Sequence, residues 1–279
     1  AETGGQNALV VDTSALTEQV VLDVLASAFD SAGQRCSALR VLCLQDECAD
    51  RTLTMLKGAT AELTVGNPAR LSTDVGPVIT AEARDGIEKH IAAMREKGHA
   101  ITQVQLPDAA RHGTFVAPTI IEIDDISELG REVFGPVLHV VRFRRHDLGA
   151  LIDKINALGY GLTFGLHTRI DTTIAEVTGR ISAGNIYINR NQIGAVVGVQ
   201  PFGGHGLSGT GPKAGGPLYL RRLVSTARRD AWGLPPRQPG PTLLAFAEWV
   251  RGKGYGDLAE QAIAYGTSAA INAFSEFDG

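Results

Sequence analysis

The chain alternates short apolar runs with helix-length periodic segments, and this alternation limits its fold more than any other feature. Residues 8–11, 39–45, 136–143, 163–168 and 185–189 read as strands, several as continuous apolar runs. Segments 15–30, 46–56, 80–97, 147–158 and 171–180 read as helices. In the first of these, Val20, Val21, Val24, Leu25 and Ala28 recur at helical spacing, and Asp12, Thr13 and Ser14 are placed to cap it. Thr80 and Gly98 are placed to open and close the third. Residues 100–105 and 115–123 read as two further strands around a Pro/Asp/Gly turn. Strands alternating with helices of this length predict an α/β fold with a largely parallel, twisted sheet and flanking helices.

Residues 194–216 are Gly-rich, but the interleaved Val196, Val197, Pro201, Phe202 and Leu207 predict a structured loop packed on a site rather than a flexible linker. A Pro-rich connector over 231–242 is followed by two helix-like segments, 243–250 and 257–274. The expected organisation is a main region over 1–230, the linker, and a helical extension or the start of another domain over 243–279. A net charge of −4 with no basic run argues against nucleic acid as a partner. No apolar stretch is long enough to span a membrane. Three cysteines (Cys36, Cys43 and Cys48) match neither a disulfide framework nor a metal site, so no metal is expected and a reducing, cytoplasmic setting is. The start lacks a Met and a leader pattern, and both ends read as cut from a longer chain.

Four short segments carry the chemistry. Gly33-Gln34-Arg35-Cys36 places a thiol between a helix and a strand, where a scaffold presents reactive groups. The neighbouring Arg35 would favour the thiolate. Taken alone, Cys36 reads more readily as a small buried side chain. Glu2-Thr3-Gly4-Gly5-Gln6-Asn7 sets a carboxylate, a possible general base, before two glycines. Glu132-Val133-Phe134-Gly135-Pro136 sets a carboxylate and an aromatic just before a strand. The fourth segment runs from Gly184-Asn185-Ile186-Tyr187-Ile188-Asn189 into Pro201-Phe202-Gly203-Gly204. In isolation each of the others also has an ordinary reading as a solvated turn or connector. The seven histidines are scattered, which makes a cysteine hydrolase with a His partner a weaker alternative.

In this order and spacing, the four segments together resemble the aldehyde dehydrogenase superfamily. In that family a Glu in an E-x-G-G-K-N-like motif precedes the nucleophilic Cys by 34 positions, the separation of Glu2 and Cys36 here. Gln6 stands where Lys is common. The resemblance implies Cys36 as nucleophile, Glu2 as base for hydrolysis, Glu132 on the ribose of the nicotinamide nucleotide NAD, and Phe134 beside the nicotinamide. It covers residues 1 to about 230. The family's first half, with most of the nucleotide fold and the Asn of the oxyanion hole, is expected upstream.

The segments Asn189 to Gly204 and Gly209 to Tyr219 resemble one branch more closely. This is the L-glutamate γ-semialdehyde (1-pyrroline-5-carboxylate) dehydrogenase module found in bifunctional proline utilization enzymes. It implies a small-molecule aldehyde substrate held by Gly194, Ala195 and Ser37, covered by Phe202 and attracted by Arg35. FAD would belong only to an upstream proline dehydrogenase domain, not to this chain. A homodimer or higher homo-oligomer is implied. Residues 1–279 alone are expected to be inactive, and the alternative reading is a catalytically incomplete scaffold or oligomerisation module.

Overall fold

The structure is a computed structural model that describes residues 3–196, 198–223 and 238–267. Glu2, Val197, most of the Pro-rich connector and the last part of the final predicted helix lie outside the described residues. The chain forms two compact units, Ala1–Gly211 and Pro212–Gly279.

The first unit is built on β1 (Asn7–Val11), β2 (Leu39–Gln45), β3 (Ala100–Gln103), β4 (Thr119–Glu122), β5 (Val137–Phe143), β7 (Thr163–His167) and β8 (Asn185–Ile188). Their order in the sheet is β3-β4-β5-β2-β1-β7-β8. All neighbouring pairs are parallel except β3–β4. Central strands β1 and β2 are buried at every residue, as expected where both faces of a parallel sheet are covered. Their registers run from Ala8↔Val41 to Val11↔Leu44. Each fully buried Leu or Val contributes about 1.5–3 kcal/mol of transfer free energy. Antiparallel β3, at the edge, is exposed or half-buried throughout. A two-residue strand β6 (Tyr160–Gly161) pairs with β9 (His205–Gly206) outside this sheet.

The sheet's helices are α1 (Thr17–Phe29), α2 (Asp46–Ala61), α3 (Ala81–Glu96), α4 (Leu148–Ala157) and α5 (Asp171–Arg180). The α/β expectation holds, with three local corrections. Helix α1 starts at Thr17 without a side-chain cap. Asp12 instead receives the N–H and hydroxyl of Ser14 at 2.8 and 2.6 Å, together with the hydroxyl of Thr168 beyond β7. Helix α2 runs past Leu56 to Ala61, its buried face of Ala49, Thr52, Leu53 and Leu56 continuing to Thr60, whose hydroxyl donates to the Leu56 carbonyl at 2.7 Å. Strand β4 begins at Thr119 rather than 115, after Pro118, which has no N–H for a ladder. Thr80 does cap α3, accepting the Ala83 N–H at 3.1 Å.

The second unit contains α6 (Tyr219–Leu223), α7 (Pro241–Gly252) and α8 (Gly256–Thr267). Ala247 and Val250 of α7 pack with Ala259 and Ile263 of α8. Leu244, Phe246, Trp249 and Leu258 remain exposed. Among the described residues no helix is long and apolar enough to cross a membrane.

Candidate active site

Open α/β sheets usually gather ligands at the carboxyl ends of their strands. Here the chemistry-bearing segments stand at the amino ends. Gly4 and Gly5 lead into β1, Cys36 into β2, Glu132 into β5, Tyr160–Gly161 into β7 and Gly184 into β8. Because these strands are parallel, the five segments share one edge. The segment 201–208 returns to that edge. Asn185 donates to the Pro201 carbonyl at 3.0 Å and accepts from the Gly203 N–H at 3.3 Å. The Gly161 N–H donates to the Ser208 hydroxyl at 3.0 Å. Thr3 joins the same place, its N–H donating to the Ser208 carbonyl at 3.0 Å and its hydroxyl to the Leu207 carbonyl at 2.5 Å. Glu2, the proposed base, precedes Thr3 and lies outside the described residues.

The Cys36 loop is fixed from several directions. After α1 the backbone takes three left-handed residues in succession: Ser31, Ala32 and Gly33, with φ of 57°, 54° and 65°. A Cβ on Gly33 would meet the Gly135 carbonyl oxygen at 2.2 Å, so only glycine lets the loop approach the turn before β5. The buried Asn7 side chain donates to the carbonyls of Cys36 (2.7 Å) and Ala38 (2.9 Å) and accepts from the Thr163 N–H (3.1 Å). One amide thereby joins β1, the cysteine loop and β7. The Thr163 hydroxyl donates to the carbonyl of Ser37, a buried residue, at 3.2 Å. The Gln34 side chain donates to the Pro77 carbonyl at 3.2 Å and accepts from the Ile79 N–H at 2.8 Å. Arg35, expected to favour the thiolate, turns its Nε back to the Ser31 hydroxyl at 3.0 Å.

The buried cation beside this loop is instead Arg40, on β2 and 1% exposed. Its Nε and Nη2 both lie 3.0 Å from Glu132 Oε1. Its Nη1 donates to the Gly135 carbonyl at 3.1 Å and its Nη2 to the Arg35 carbonyl at 3.3 Å. The guanidinium also lies over the Phe134 ring, 5.1 Å from its centroid. Glu132 Oε2 accepts the Gly5 N–H at 3.0 Å, and a Cβ on Gly4 would fall 1.6 Å from that oxygen. Burial pushes the Glu132 carboxyl up, opposed by the Arg40 charge and the hydrogen bonds it accepts. Burial also pulls the Arg40 guanidinium down, opposed first by Glu132 and then by Cys36. Arginine still keeps its proton at any ordinary pH. The Glu132 side chain is 12% exposed and Phe134 is 42% exposed, so both reach the surface of the edge.

The segment after β8 is held differently. Gln19 donates to the Asn189 carbonyl at 2.6 Å, and the Gln192 N–H donates to the Ser27 hydroxyl of α1 at 3.1 Å. Gly194 has φ +75°, is exposed, and has open space where a Cβ would stand. Ala195 and Phe202 are half-buried. Val196, Val199 and Leu207 are exposed. Of the apolar residues expected to pack on a site, Phe202 is thus half-buried, Val196 and Leu207 are exposed in this chain, and Val197 lies outside the described residues. The loop is ordered by its ends, by Asn185, and by Gln200, which donates to the Tyr187 hydroxyl at 2.9 Å.

The roles of Asn7 and Arg40 were not visible in the sequence. Asn7 closes the Glu2–Asn7 segment, and Arg40 lies on the strand four positions after Cys36. Of the scattered histidines, His139 is buried between Arg40 and His90. Its Nδ1 lies 3.2 Å from the Arg40 carbonyl and its Nε2 lies 2.8 Å from His90 Nε2. The carbonyl only accepts, so His139 carries its proton on Nδ1 and His90 donates from Nε2. Among the described residues, His99, Asp124 and Glu128 are close enough to share an ion. There, however, Glu128 Oε2 takes His99 and Oε1 takes the N–H groups of Asp124 and Asp125.

The aldehyde dehydrogenase family model matches residues 1–227, and the chain belongs to that family. Within it, the chain is 67% identical over 239 residues to the bifunctional protein PutA of Klebsiella aerogenes, covering 84% of this chain and 18% of that one. It is 60% identical over 284 residues to the bifunctional protein PutA of Rhizobium meliloti, covering 100% of this chain and 23% of that one. A crystal structure of proline utilization A from Bradyrhizobium japonicum matches with a TM-score of 0.76 at 53% identity, covering 79% of this chain and 22% of that one. A 1-pyrroline-5-carboxylate dehydrogenase of Bacillus cytotoxicus is 37% identical over 222 residues, covering 79% of this chain and 42% of that one. The chain thus spans only a minor part of the length of the curated relatives it matches.

Proposed function

We infer that this chain carries the nucleophile and substrate-binding part of an NAD-dependent dehydrogenase that oxidises L-glutamate γ-semialdehyde to L-glutamate. The observation that carries this reading is the convergence of the Cys36 loop and Glu132 on one sheet edge, in a chain of the aldehyde dehydrogenase family. Cys36 as thiolate attacks the aldehyde carbon, and its backbone N–H faces the developing oxyanion. A bound nicotinamide dinucleotide supplies the hydride acceptor. Glu132 suits its ribose: Oε2 accepts only the Gly5 N–H and has a lone pair left, while Arg40 occupies Oε1, and the carboxylate reaches the surface. Phe134 offers an exposed ring face beside it. Glu2 activates the water that releases the acid from the Cys36 thioester. Ser37, Gly194 and Ala195 receive the substrate's α-carboxylate, with Arg35 as a more distant attraction, and Phe202 covers its methylenes. Glycine at φ +75° lets backbone N–H groups approach an anion closely.

The name of the solved relative, proline utilization A, supports proline catabolism as the setting. The three free cysteines suit a reducing cytoplasm. A homodimer or higher homo-oligomer, a linker over 231–242 and a helical extension beyond it complete the reading. The test is Cys36→Ala in the full natural protein, assayed for NADH formation from the semialdehyde. Turnover falls by about a thousandfold or more if Cys36 forms the covalent intermediate. Retained turnover refutes the assignment.

A further inference from the structure

An arginine in the interior of a parallel sheet needs an explanation. At β2 every other residue from Leu39 to Leu44 is apolar, yet Arg40 sits there 1% exposed. A buried ion pair is weak ground for stability, because desolvation consumes much of the attraction and a well-packed apolar pair often does as well. Geometry is the better account. The planar fork of Arg40 reaches three acceptors in two segments at once: the carbonyl of Arg35, next to Cys36, and the Glu132 carboxylate and Gly135 carbonyl before β5. Phe134 covers its face. On the other side, the Arg40 backbone carbonyl accepts from His139, which fixes the base of the fork. Lysine, with a single rotating ammonium, cannot make these contacts together.

We propose that Arg40 is a positioning residue that locks the Cys36 loop and the Glu132 carboxylate into one unit, and so sets where the nicotinamide ribose is received relative to the thiol. This rests on the reading of Cys36 and Glu132 given above. Arg40 touches neither substrate nor cofactor. It acts through Glu132, holding Oε1 from behind while Gly5 holds Oε2, so that the free lone pair of Oε2 keeps a single orientation.

The test is a double-mutant cycle in the full natural protein, read by the dissociation constant for NADH from fluorescence titration and by NADH formation. Arg40→Lys weakens NADH binding about tenfold, as does Glu132→Gln, and the double variant binds no more weakly than Glu132→Gln alone. An Arg40→Lys protein that binds NADH within twofold of wild type overturns the proposal. So do losses that simply add, which would mark a general structural role. If Arg40→Lys does not fold, Arg40→Met combined with Glu132→Gln leaves no unpaired buried charge and gives the same comparison. NADH affinity equal to that of Glu132→Gln supports the proposal, and a further loss of threefold or more refutes it. Failure of the underlying reading looks different, because wild-type protein would then not bind NADH, or Cys36→Ala would keep its turnover.

Discussion

The loop that carries Cys36 and the loop that carries Gly194 serve the same proposed substrate but are held in opposite ways. The first is tied by Asn7, Thr163 and Arg40 to β1, β7 and the turn before β5, and by Gln34 to the connector before α3. It also accepts left-handed backbone at Ser31 and Ala32, which costs non-glycine residues about 1–2 kcal/mol each. The second is fastened near its ends, at Gln192 and Pro201, and exposes Gly194, Val196 and Val199 between them. Strain held by many partners is what a group needs when its position governs a bond-forming step. A loop that offers backbone N–H groups to a carboxylate has less need of such restraint.

The contrast breaks first at Gly33. Its Cβ position lies 2.2 Å from a backbone oxygen, which no rotamer can relieve, and its φ is +65°. Gly33→Ala should cost on the order of 4 kcal/mol, or leave the loop unformed, in denaturant melts. Asn7→Ala comes next. It strands two carbonyls and one N–H at a buried position, for about 3 kcal/mol, and it should also slow Cys36 alkylation or turnover by freeing the loop. Near-wild-type stability in either variant would mean that the cysteine loop is not over-determined.

The sequence shows these two loops unequally. Strands β1, β2 and β5 were legible because burial on both faces writes mostly apolar runs into the chain, interrupted in β2 by Arg40 and in β5 by His139 and Arg142. Cys36, Glu132 and Phe134 stood out as candidates through motif order and spacing, and the structure brings the Cys36 loop and Glu132 together through Arg40. Arg40 itself did not stand out. An arginine inside an apolar strand gives no sign of its orientation, and its partner Glu132 stands 92 positions away. Asp12 misled for the same reason: as a residue before a helix it looks like a cap, but a hydroxyl 156 positions on takes its carboxylate. The exposure of Val196 and Val199 was equally hidden, since apolar residues in a Gly-rich loop carry no periodicity to place them.

Acid should probe the tightly held side. Burial, with the neighbouring His90, pushes His139 down to about 3. The unfolded imidazole titrates near about 6.5. Below that pH the unfolded chain takes up a proton that the folded chain refuses. The stability from neutral His139 is therefore complete above about pH 6.5 and is lost as pH falls toward 3, amounting to about 2 kcal/mol by pH 5. His90, also lowered by burial, adds in the same direction. His139→Gln should flatten the fall in melting midpoint between pH 7 and pH 5, and an unchanged slope would place the acid sensitivity elsewhere.

The smallest effect belongs to the loosely held side. Nothing stands within 4 Å of a Cβ at Gly194, so Gly194→Ala meets no clash and pays only for its φ of +75°, about 1 kcal/mol. That cost falls on an exposed turn, and global stability should scarcely move. The proposed substrate should notice, because a methyl group and a shifted φ disturb the backbone N–H groups offered to its carboxylate. KM for the semialdehyde should rise several-fold with kcat nearly unchanged, while a simple aldehyde without a carboxylate keeps its KM. Equal effects on both aldehydes would mean that Gly194 shapes the loop as a whole. The difference between the two loops would then lie in how firmly each is held, not in which part of the substrate each one meets.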